Sequence, residues 1–452
     1  MFKKVLIANR GEIARRVIRT CKRLTIPTVA IYSEADGESL HVKDADEAYC
    51  VGKPPVAQSY LNIDRILEIA HESGAEAIHP GYGLLSENAE FAKRCTEAGF
   101  VFIGPSADVI ASMGSKLEAR KTMKAAGVPI VEGVEAPVKD VAEATEIAER
   151  LGYPIMLKAS AGGGGIGMQL VENAEELAKA FEGNQKRAQS FFGDGTMYME
   201  RFIANPHHVE VQIIADHQGN VVPLFERECS IQRRNQKVVE EAPSPFISQE
   251  TRNKMLEASV KAAKHIGYVN AGTIEYLVDK DQNFYFLEMN TRLQVEHPVT
   301  EEITKLDLVE EQLKIAAKQP LTFTKESITK EGHAIEVRIY AENPSTFFPS
   351  PGTITALTLP AGEGTRHECG VEAGSVVTPF YDPMISKLVV WGETRALACE
   401  RLIQALQAYN IEGIQTNIPM LLKTVTHEQF LQGNTTTKFV EQYYLPQLTE
   451  TK

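Results

Sequence analysis

The residues best equipped for chemistry lie in the run Glu288-Met289-Asn290-Thr291-Arg292-Leu293-Gln294-Val295-Glu296. Its even positions carry carboxylate, amide, guanidinium, amide and carboxylate, and its odd positions carry Met, Thr, Leu and Val. This is the period-2 alternation of an extended segment with one chemical face. Eight fully extended steps would span roughly 27 Å, too far for one small substrate, so the chain is expected to bend and serve two adjacent subsites. Upstream, residues 272–278 and 284–288 read as strands joined by a polar turn at 279–283. Pairing Val278 with Tyr285 sets Glu275 opposite Glu288. Facing carboxylates repel and call for a cation between them, and oxygen-only ligands suit Mg²⁺ or Mn²⁺. A slipped register instead turns one carboxylate to solvent.

Two further stretches carry phosphate and purine chemistry. Lys158 ends an apolar strand at 153–158, and Ala161-Gly162-Gly163-Gly164-Gly165-Ile166-Gly167 follows at once. A glycine run of this density can wrap backbone N–H groups around phosphate oxygens, with Lys158 adding a point charge. It is not a Walker A sequence, since no Gly-Lys-Ser/Thr closes it, and a flexible hairpin tip is the alternative. Glu200-Arg201-Phe202-Ile203 ends a strand begun at Met197, where charged and apolar residues alternate as a purine slot requires. His208 and Glu210 precede an apolar strand at 211–214; lone histidines of this kind are more often structural. Residues 226–237 bring Arg227, Gln232, Arg233, Arg234, Asn235 and Lys237 into a short charged loop followed by Glu240 and Glu241. A strand at 333–340 places Glu336 and Arg338 on one face.

These groups need elements to position them. Residues 1–110 alternate strands (5–8, 28–32, 77–79, 101–103) with helices (11–23, 62–73, 87–98), the signature of a parallel, doubly wound sheet. Asn9-Arg10-Gly11-Glu12 lacks the glycines of a dinucleotide fingerprint, so no nicotinamide or flavin is indicated. Pro80-Gly81-Tyr82-Gly83 closes the strand at His79, where open α/β sheets place ligands. Beyond 111 come a helix carrying Lys116, Arg120 and Lys121, and a helix at 140–151 stopped by Gly152. Residues 333–446 add strands near 353–357 and 385–391 and a helix at 394–409. No repeat or low-complexity linker separates these parts, so they are expected to pack as one body.

The 452 residues carry a net charge of −13 without a basic block, which argues against a nucleic-acid partner. Anionic substrates must then be captured by local cations. The six cysteines show no metal-ligand spacing and are expected to be reduced and buried. The chain enters a strand directly after Met-Phe-Lys-Lys and has no membrane-length apolar run, which places it in the cytoplasm.

Taken together, the chain resembles the biotin carboxylases of the ATP-grasp superfamily from residue 1 to about 446. The motifs that carry the resemblance are Ile7-Ala-Asn-Arg-Gly-Glu-Ile-Ala14, His79-Pro-Gly-Tyr-Gly83, Leu85-Ser-Glu-Asn88, Lys237-Val-Val-Glu-Glu-Ala-Pro243, Glu288-Met-Asn-Thr-Arg292 and Gln294-Val-Glu-His-Pro-Val-Thr300. The implied fold is α/β: an N-terminal doubly wound domain (1–110), a central ATP-grasp domain (111–325) with a mobile glycine-loop lid (about 131–203), and a C-terminal α+β domain (333–446). The implied reaction carboxylates biotin on a carrier protein, using ATP and bicarbonate and passing through carboxyphosphate, as the first half-reaction of an acyl-CoA carboxylase such as acetyl-CoA carboxylase. The resemblance puts Lys116, Lys158, His208, Gln232, Asn235 and Gly163, Gly164 and Gly165 around the nucleotide, with Glu200, Arg201, Phe202 and Ile203 along its adenine. Glu275, Glu288 and Asn290 would hold the divalent ions. Arg292, Gln294, Val295 and Lys237 would bind bicarbonate, Glu296 would be the base, Arg338 would stabilise the biotin enolate, and Tyr82 and Gly83 would line the biotin pocket. Asn235, Ile166, Ala161 and Arg201 depart from the bacterial pattern, which implies weaker ATP binding. No Ala-Met-Lys-Met attachment sequence is present, so the biotin carrier and a carboxyltransferase are expected in trans, with a homodimer as the assembly. The competing reading, a catalytically silent nucleotide-binding protein, is favoured only by Asn235 and Ile166.

Overall fold

The computed structural model describes residues 1–161 and 167–450, so Gly163, Gly164, Gly165 and Ile166 lie outside the described residues. The first 110 residues form a parallel sheet in the order β3-β2-β1-β4-β5, with β1 at Val5–Ile7, β2 at Thr28–Ser33, β3 at Glu47–Gly52, β4 at Ala77–His79 and β5 at Val101–Phe102. The edge strand β3 has no counterpart among the expected elements, because Glu47-Ala-Tyr-Cys-Val-Gly lacks an apolar run. Helices begin one or two residues later than their sequence patterns. Asn62, Asp140 and Thr394 are N-caps whose side chains accept from a backbone N–H in the first turn, and the helix predicted at 87–98 runs Ala89–Glu97 after the cap Asn88.

A small antiparallel sheet, β7-β6-β8, follows: β6 is Ile155–Ala159, β7 is Met168–Val171 and β8 is Met197–Arg201. The main sheet is eight-stranded and antiparallel, in the order β13-β12-β9-β10-β11-β14-β19-β17. Its strands are β9 (His207–Ala215), β10 (Val221–Arg233), β11 (Gln236–Ala242), β12 (Asn270–Val278), β13 (Phe284–Asn290), β14 (His333–Tyr340), β17 (Thr365–Cys369) and β19 (Met384–Gly392). Two short pairs, β15 (Gly352–Thr353) with β18 (Val376–Val377) and β16 (Ala356–Thr358) with β20 (Asn410–Glu412), take the place of the single strand expected near 353–357. Because β11 pairs with β14, one hydrogen-bonded sheet runs from the central segment into the C-terminal one.

The stretch expected as a charged loop at 226–237 is instead a β-hairpin. Arg234 and Asn235 both have positive φ (51° and 64°), the geometry of the two-residue turn that best matches strand twist. Asparagine tolerates this conformation better than most side chains. The flanking Arg227 and Arg233 are buried, because each finds a buried carboxylate partner, Glu210 and Glu342 respectively.

The N-terminal segment is locked to the rest by Arg16, 2 % exposed on the helix Gly11–Arg23, whose Nη2 lies 2.6 Å from Glu301 Oε1 and 2.9 Å from Asp307 Oδ1. One apolar cluster joins Val5, Ile7 and Val17 to Ile214, Leu293 and Leu308, so the parts pack as one body as expected. All six cysteines are free, but Cys50, on the edge strand β3, is exposed rather than buried. Among the described residues no helix is long and apolar enough to cross a membrane.

Strand β14 is pinned from outside the sheet by Asn417, which is completely buried. Its Oδ1 accepts from Tyr340 N at 2.8 Å and its Nδ2 donates to Arg338 O at 2.9 Å. Asn417→Ala leaves both backbone groups unsatisfied and is expected to lower stability by about 2–3 kcal/mol, read as a shift of the thermal unfolding midpoint.

Candidate active site

The main sheet and the small one close over a cavity of about 540 Å³. Its lining includes Lys116, Lys158, Glu200, Arg201, Phe202, Ile203, His208, Gln232, Asn235, Lys237, Glu275, Glu288, Asn290, Arg292, Gln294, Val295, Glu296 and Arg338. Every sequence-predicted site residue within the described range is therefore present, except Tyr82 and Gly83. Tyr82 instead donates its hydroxyl to Glu12 Oε1, and Gly83 is exposed on the turn. Apolar side chains that sequence reading did not single out, Met156, Met168 and Leu170 from the lid and Leu277 and Leu287 from the sheet, give the slot its flat walls.

The hairpin β12–β13 sets Glu275 opposite Glu288 as expected, but by a different register. Val278 pairs with Phe284 rather than Tyr285, and a bulge between Tyr276 and Glu275 leaves Leu287 as the extra residue. The bulge has a purpose visible in the side chains. Phe284 and Phe286 pack on the core cluster with Ile274 and Tyr276, and an unbroken strand would send Glu288 to that same apolar face. The extra residue flips the phase and aims Glu288 and Asn290 into the cavity. The strand ends at Asn290, and Glu296 becomes the N-cap of the helix His297–Thr304, so the alternating run bends as its length required.

Lys237 is the electrostatic centre. Its Nζ lies 2.6 Å from Glu210 Oε2, 2.7 Å from Glu275 Oε1 and 2.7 Å from Glu296 Oε1. Burial alone would disfavour the ammonium, yet the three carboxylates hold its pKa well above the ordinary lysine value. Burial would raise Glu296, but Lys237 and Arg338 pull it well below the usual glutamate range; Glu275 is lowered in the same way by Lys237 and His208. Arg338 spans two acids, with Nε 2.6 Å from Glu240 Oε1 and Nη2 3.0 Å from Glu296 Oε2.

Sequence reasoning did not assign the residues that orient these groups. Arg227, completely buried, donates to Glu210, Gln212, Thr300, Thr273 and Gln294, the last through Nη2 to Oε1 at 2.6 Å. That bond turns the Gln294 amide so that its Nε2 donates to Glu275 Oε1 at 2.7 Å. Glu87, from the N-terminal segment, accepts from Arg292 Nε at 2.8 Å and Thr291 N at 3.2 Å. It lies inside the Leu85-Ser-Glu-Asn88 motif, but nothing local links it to a partner 205 residues away. His208, read as structural, reaches Glu275 Oε2 with Nε2 at 2.8 Å. In the lid, Lys158 pairs with Glu200, whose other oxygen takes Arg120 Nη1 at 2.8 Å. Glu200 is thus held by two cations and presents its strand end to the slot.

The donor set fits a hard divalent ion. Glu288 makes no hydrogen bond or ion pair with the described residues, and burial followed by the nearby Glu275 raises its pKa, the condition of a carboxylate that lacks its cation. Glu275 is already satisfied by Lys237, Asn290, Gln294 and His208, so taking up an ion requires exchanging one of these donors. The Asn290 amide oxygen meanwhile accepts from Arg292 Nη2 at 2.9 Å.

A parallel sheet docked on an antiparallel one, with a small lid over paired glutamates and lysines, defines an ATP-grasp ligase. Family models narrow this: biotin carboxylase N-terminal domain matches residues 1–110, carbamoyl-phosphate synthase L chain ATP-binding domain matches 115–324, and biotin carboxylase C-terminal domain matches 336–442. Biotin carboxylase 2 of Bacillus subtilis is 63% identical over 98% of this chain and 100% of its own length. The crystallised biotin carboxylase domain dimer of Hydrogenobacter thermophilus 2-oxoglutarate carboxylase, in complex with MgADP, ADP and bicarbonate, superposes with a TM-score of 0.95 at 50% identity, covering 98% of this chain and 97% of that one. A crystal structure of the biotin carboxylase component of a pyruvate carboxylase superposes with a TM-score of 0.85 at 50% identity, covering 99% of both chains. The chain belongs to the biotin carboxylase family.

Removing the central cation should expose its function in the fold. Lys237→Met strands three buried carboxylates and is expected to destabilise by about 3–5 kcal/mol. Without their cation these acids are more easily protonated in the folded than in the unfolded chain, so the loss should be greater at neutral pH than at mildly acidic pH. In the parent, Glu275 and Glu296 are depressed; their contribution is present above the ordinary glutamate value of 4.5 and fades only below it. Thermal midpoints of both proteins across that range check the opposite slopes.

Proposed function

We propose that this chain carboxylates biotin, with ATP and bicarbonate as co-substrates and ADP and phosphate as products, and that the cavity residues divide the work as follows. The observation that carries the reading is the convergence of Lys237, Arg292 and Arg338 on Glu296, beside the facing pair Glu275 and Glu288. ATP lies between the lid and β12–β13, its adenine between the apolar walls and its phosphates toward Lys116 and Lys158. When bound, divalent ions at Glu275, Glu288 and Asn290 neutralise phosphate charge. Bicarbonate takes the place next to Arg292, Gln294, the Val295 backbone and Lys237, where the guanidinium fork matches its planar anion.

Glu296 starts fully ionised, with Oε1 on Lys237 and Oε2 on Arg338. In that state it is a weak base. An anion that draws Lys237 onto itself weakens this pairing and raises the proton affinity of Glu296 as the substrate arrives. Glu296 then takes the bicarbonate proton while the oxygen attacks the γ-phosphorus, and the bond to ADP breaks. The carboxyphosphate splits into CO₂ and phosphate, the phosphate takes the N1′ proton of biotin, and N1′ bonds to CO₂. Arg338 stabilises the ureido oxygen as it gains charge.

A carrier-borne biotin and a carboxyltransferase acting in trans are supported by the Bacillus subtilis relative, which this chain matches along its whole length. A homodimer accords with the dimeric Hydrogenobacter domain. The family-model bounds favour a division into 1–110, 111–325 with the lid at 131–203, and 333–446. Because the relatives' names span pyruvate and 2-oxoglutarate, the final acceptor belongs to the carboxyltransferase.

The test is ADP release with Mg²⁺, ATP and bicarbonate, with and without free biotin. Biotin is expected to stimulate it strongly; Arg338→Ala should lose the stimulation, and Glu288→Ala should lose turnover altogether. No turnover with biotin or a biotinylated carrier, despite bound ATP, would leave the reading of a silent nucleotide-binding protein. Glu87→Gln frees Arg292 from its anchor and is expected to raise the KM for bicarbonate about tenfold while leaving the KM for ATP nearly unaffected, measured by initial rates.

A further inference from the structure

Beside Arg338 lies a set of acids that the reaction above does not use. Glu336 is completely buried on β14, and neither of its carboxyl oxygens has a hydrogen-bond partner among the described residues. Its cross-strand neighbour on β11 is Glu240, also completely buried, with Oε1 on Arg338 Nε at 2.6 Å and Oε2 without a partner. Directly opposed residues of an antiparallel pair stand about 5 Å apart at Cβ on one face, which brings the two carboxyls side by side.

The charges around this pair do not balance. Glu336 faces Lys387 from β19, Arg338 from its own strand, Glu240 from β11 and Glu296 from the start of the helix His297–Thr304. Lys387 is committed elsewhere: its Nζ donates to Val295 O at 2.6 Å and lies 3.4 Å from Glu12 Oε1. Arg338 is divided between Glu240 and Glu296, and Lys237 is divided among Glu210, Glu275 and Glu296. His297 supplies no cation, since burial and then Lys387 hold it neutral. An uncompensated buried carboxylate is costly, and neighbouring carboxyls escape that cost by sharing a proton.

We propose that Glu240 and Glu336 hold one proton between them, as a hydrogen-bonded acid and carboxylate, and that this pair is a positioning element that keeps Arg338 in place with its charge available to biotin. The inference rests on the reading of Arg338 as the group that meets the ureido oxygen. Burial raises both acids before any other cause, Glu240 to about 7, in keeping with a proton retained at neutral pH. With the proton, the pair carries one negative charge and Arg338 is half-compensated. Its loss at alkaline pH adds a second negative charge beside Arg338 and weakens the field on the enolate oxygen.

Infrared spectra of the intact protein, titrated from neutral to alkaline pH without substrates, test this directly. The wild type minus Glu336→Gln difference is expected to show the carbonyl band of a buried protonated acid, lost on alkaline titration; Glu336→Asp, which can carry the proton, should keep the band. In kinetics, the alkaline limb of kcat/KM for biotin should move up by about one pH unit in Glu336→Gln, about tenfold in relative rate at the alkaline end. Biotin-independent ADP release, which does not use Arg338, should keep its limb. Absence of the acid band, or a biotin limb that stays in place in Glu336→Gln, overturns the proposal. Since the band is read without substrate, a failure of biotin to stimulate turnover strikes the proposed reaction alone and leaves the proton-sharing pair to be judged by its spectrum.

Discussion

One ammonium group shared by three buried carboxylates governs the architecture of this site. Lys237 reaches it from β11, while Glu210, Glu275 and Glu296 come from β9, β12 and the start of a helix. A buried ion of either sign is expensive unless paired, so these elements can be brought together only as a set. The second cation, Arg227, ties Glu210 to Gln294 and thereby aims the amide beside Glu275. The result is a cavity floor with its charge balanced internally, yet able to exchange partners when an anion or a divalent ion arrives. That exchange links binding to chemistry, because the base gains proton affinity only as its cation is drawn to substrate.

Backbone devices do the aiming. The bulge at Leu287 separates a core-facing half of β13, Phe284 and Phe286, from a cavity-facing half, Glu288 and Asn290. The tight turn at Arg234 and Asn235 sends β10 back as β11 and delivers Lys237 one residue after the strand begins. Both features put charged groups on the wet face of strands whose other face is fully apolar.

The three parts of the chain are interdependent. The N-terminal segment supplies Glu87 to Arg292 and, through Arg16, an anchor for the helix that Glu296 caps. The C-terminal segment supplies Arg338 on a strand that extends the central sheet, and Lys387 to the carbonyl of Val295. Withdrawing either part leaves buried charges without partners, which is a physical reason for them to pack as one body.

Much of this was legible in the residues themselves. Period-2 alternation gave the polar face of 288–296, and cross-strand repulsion gave Glu275 as the partner of Glu288, because both depend on spacing within a short segment. Even the bulge has a trace: apolar residues at 284 and 286 and polar ones at 288 and 290 share parity, which a regular strand cannot accommodate. Other features lay beyond local pattern. The hairpin at 226–237 read as an exposed loop because its arginines look like surface residues until Glu210 and Glu342 are seen to bury them. Glu87 and Glu336 carry no local sign of their settings, since one is defined by an arginine 205 residues away and the other by a neighbour on a strand 96 positions earlier in the chain. The sequence by itself determined which side chains could do the chemistry and the elements that carry them. Only the tertiary structure decided which charges neutralise one another, because compensation is set by distance in a low-dielectric interior and not by separation along the chain.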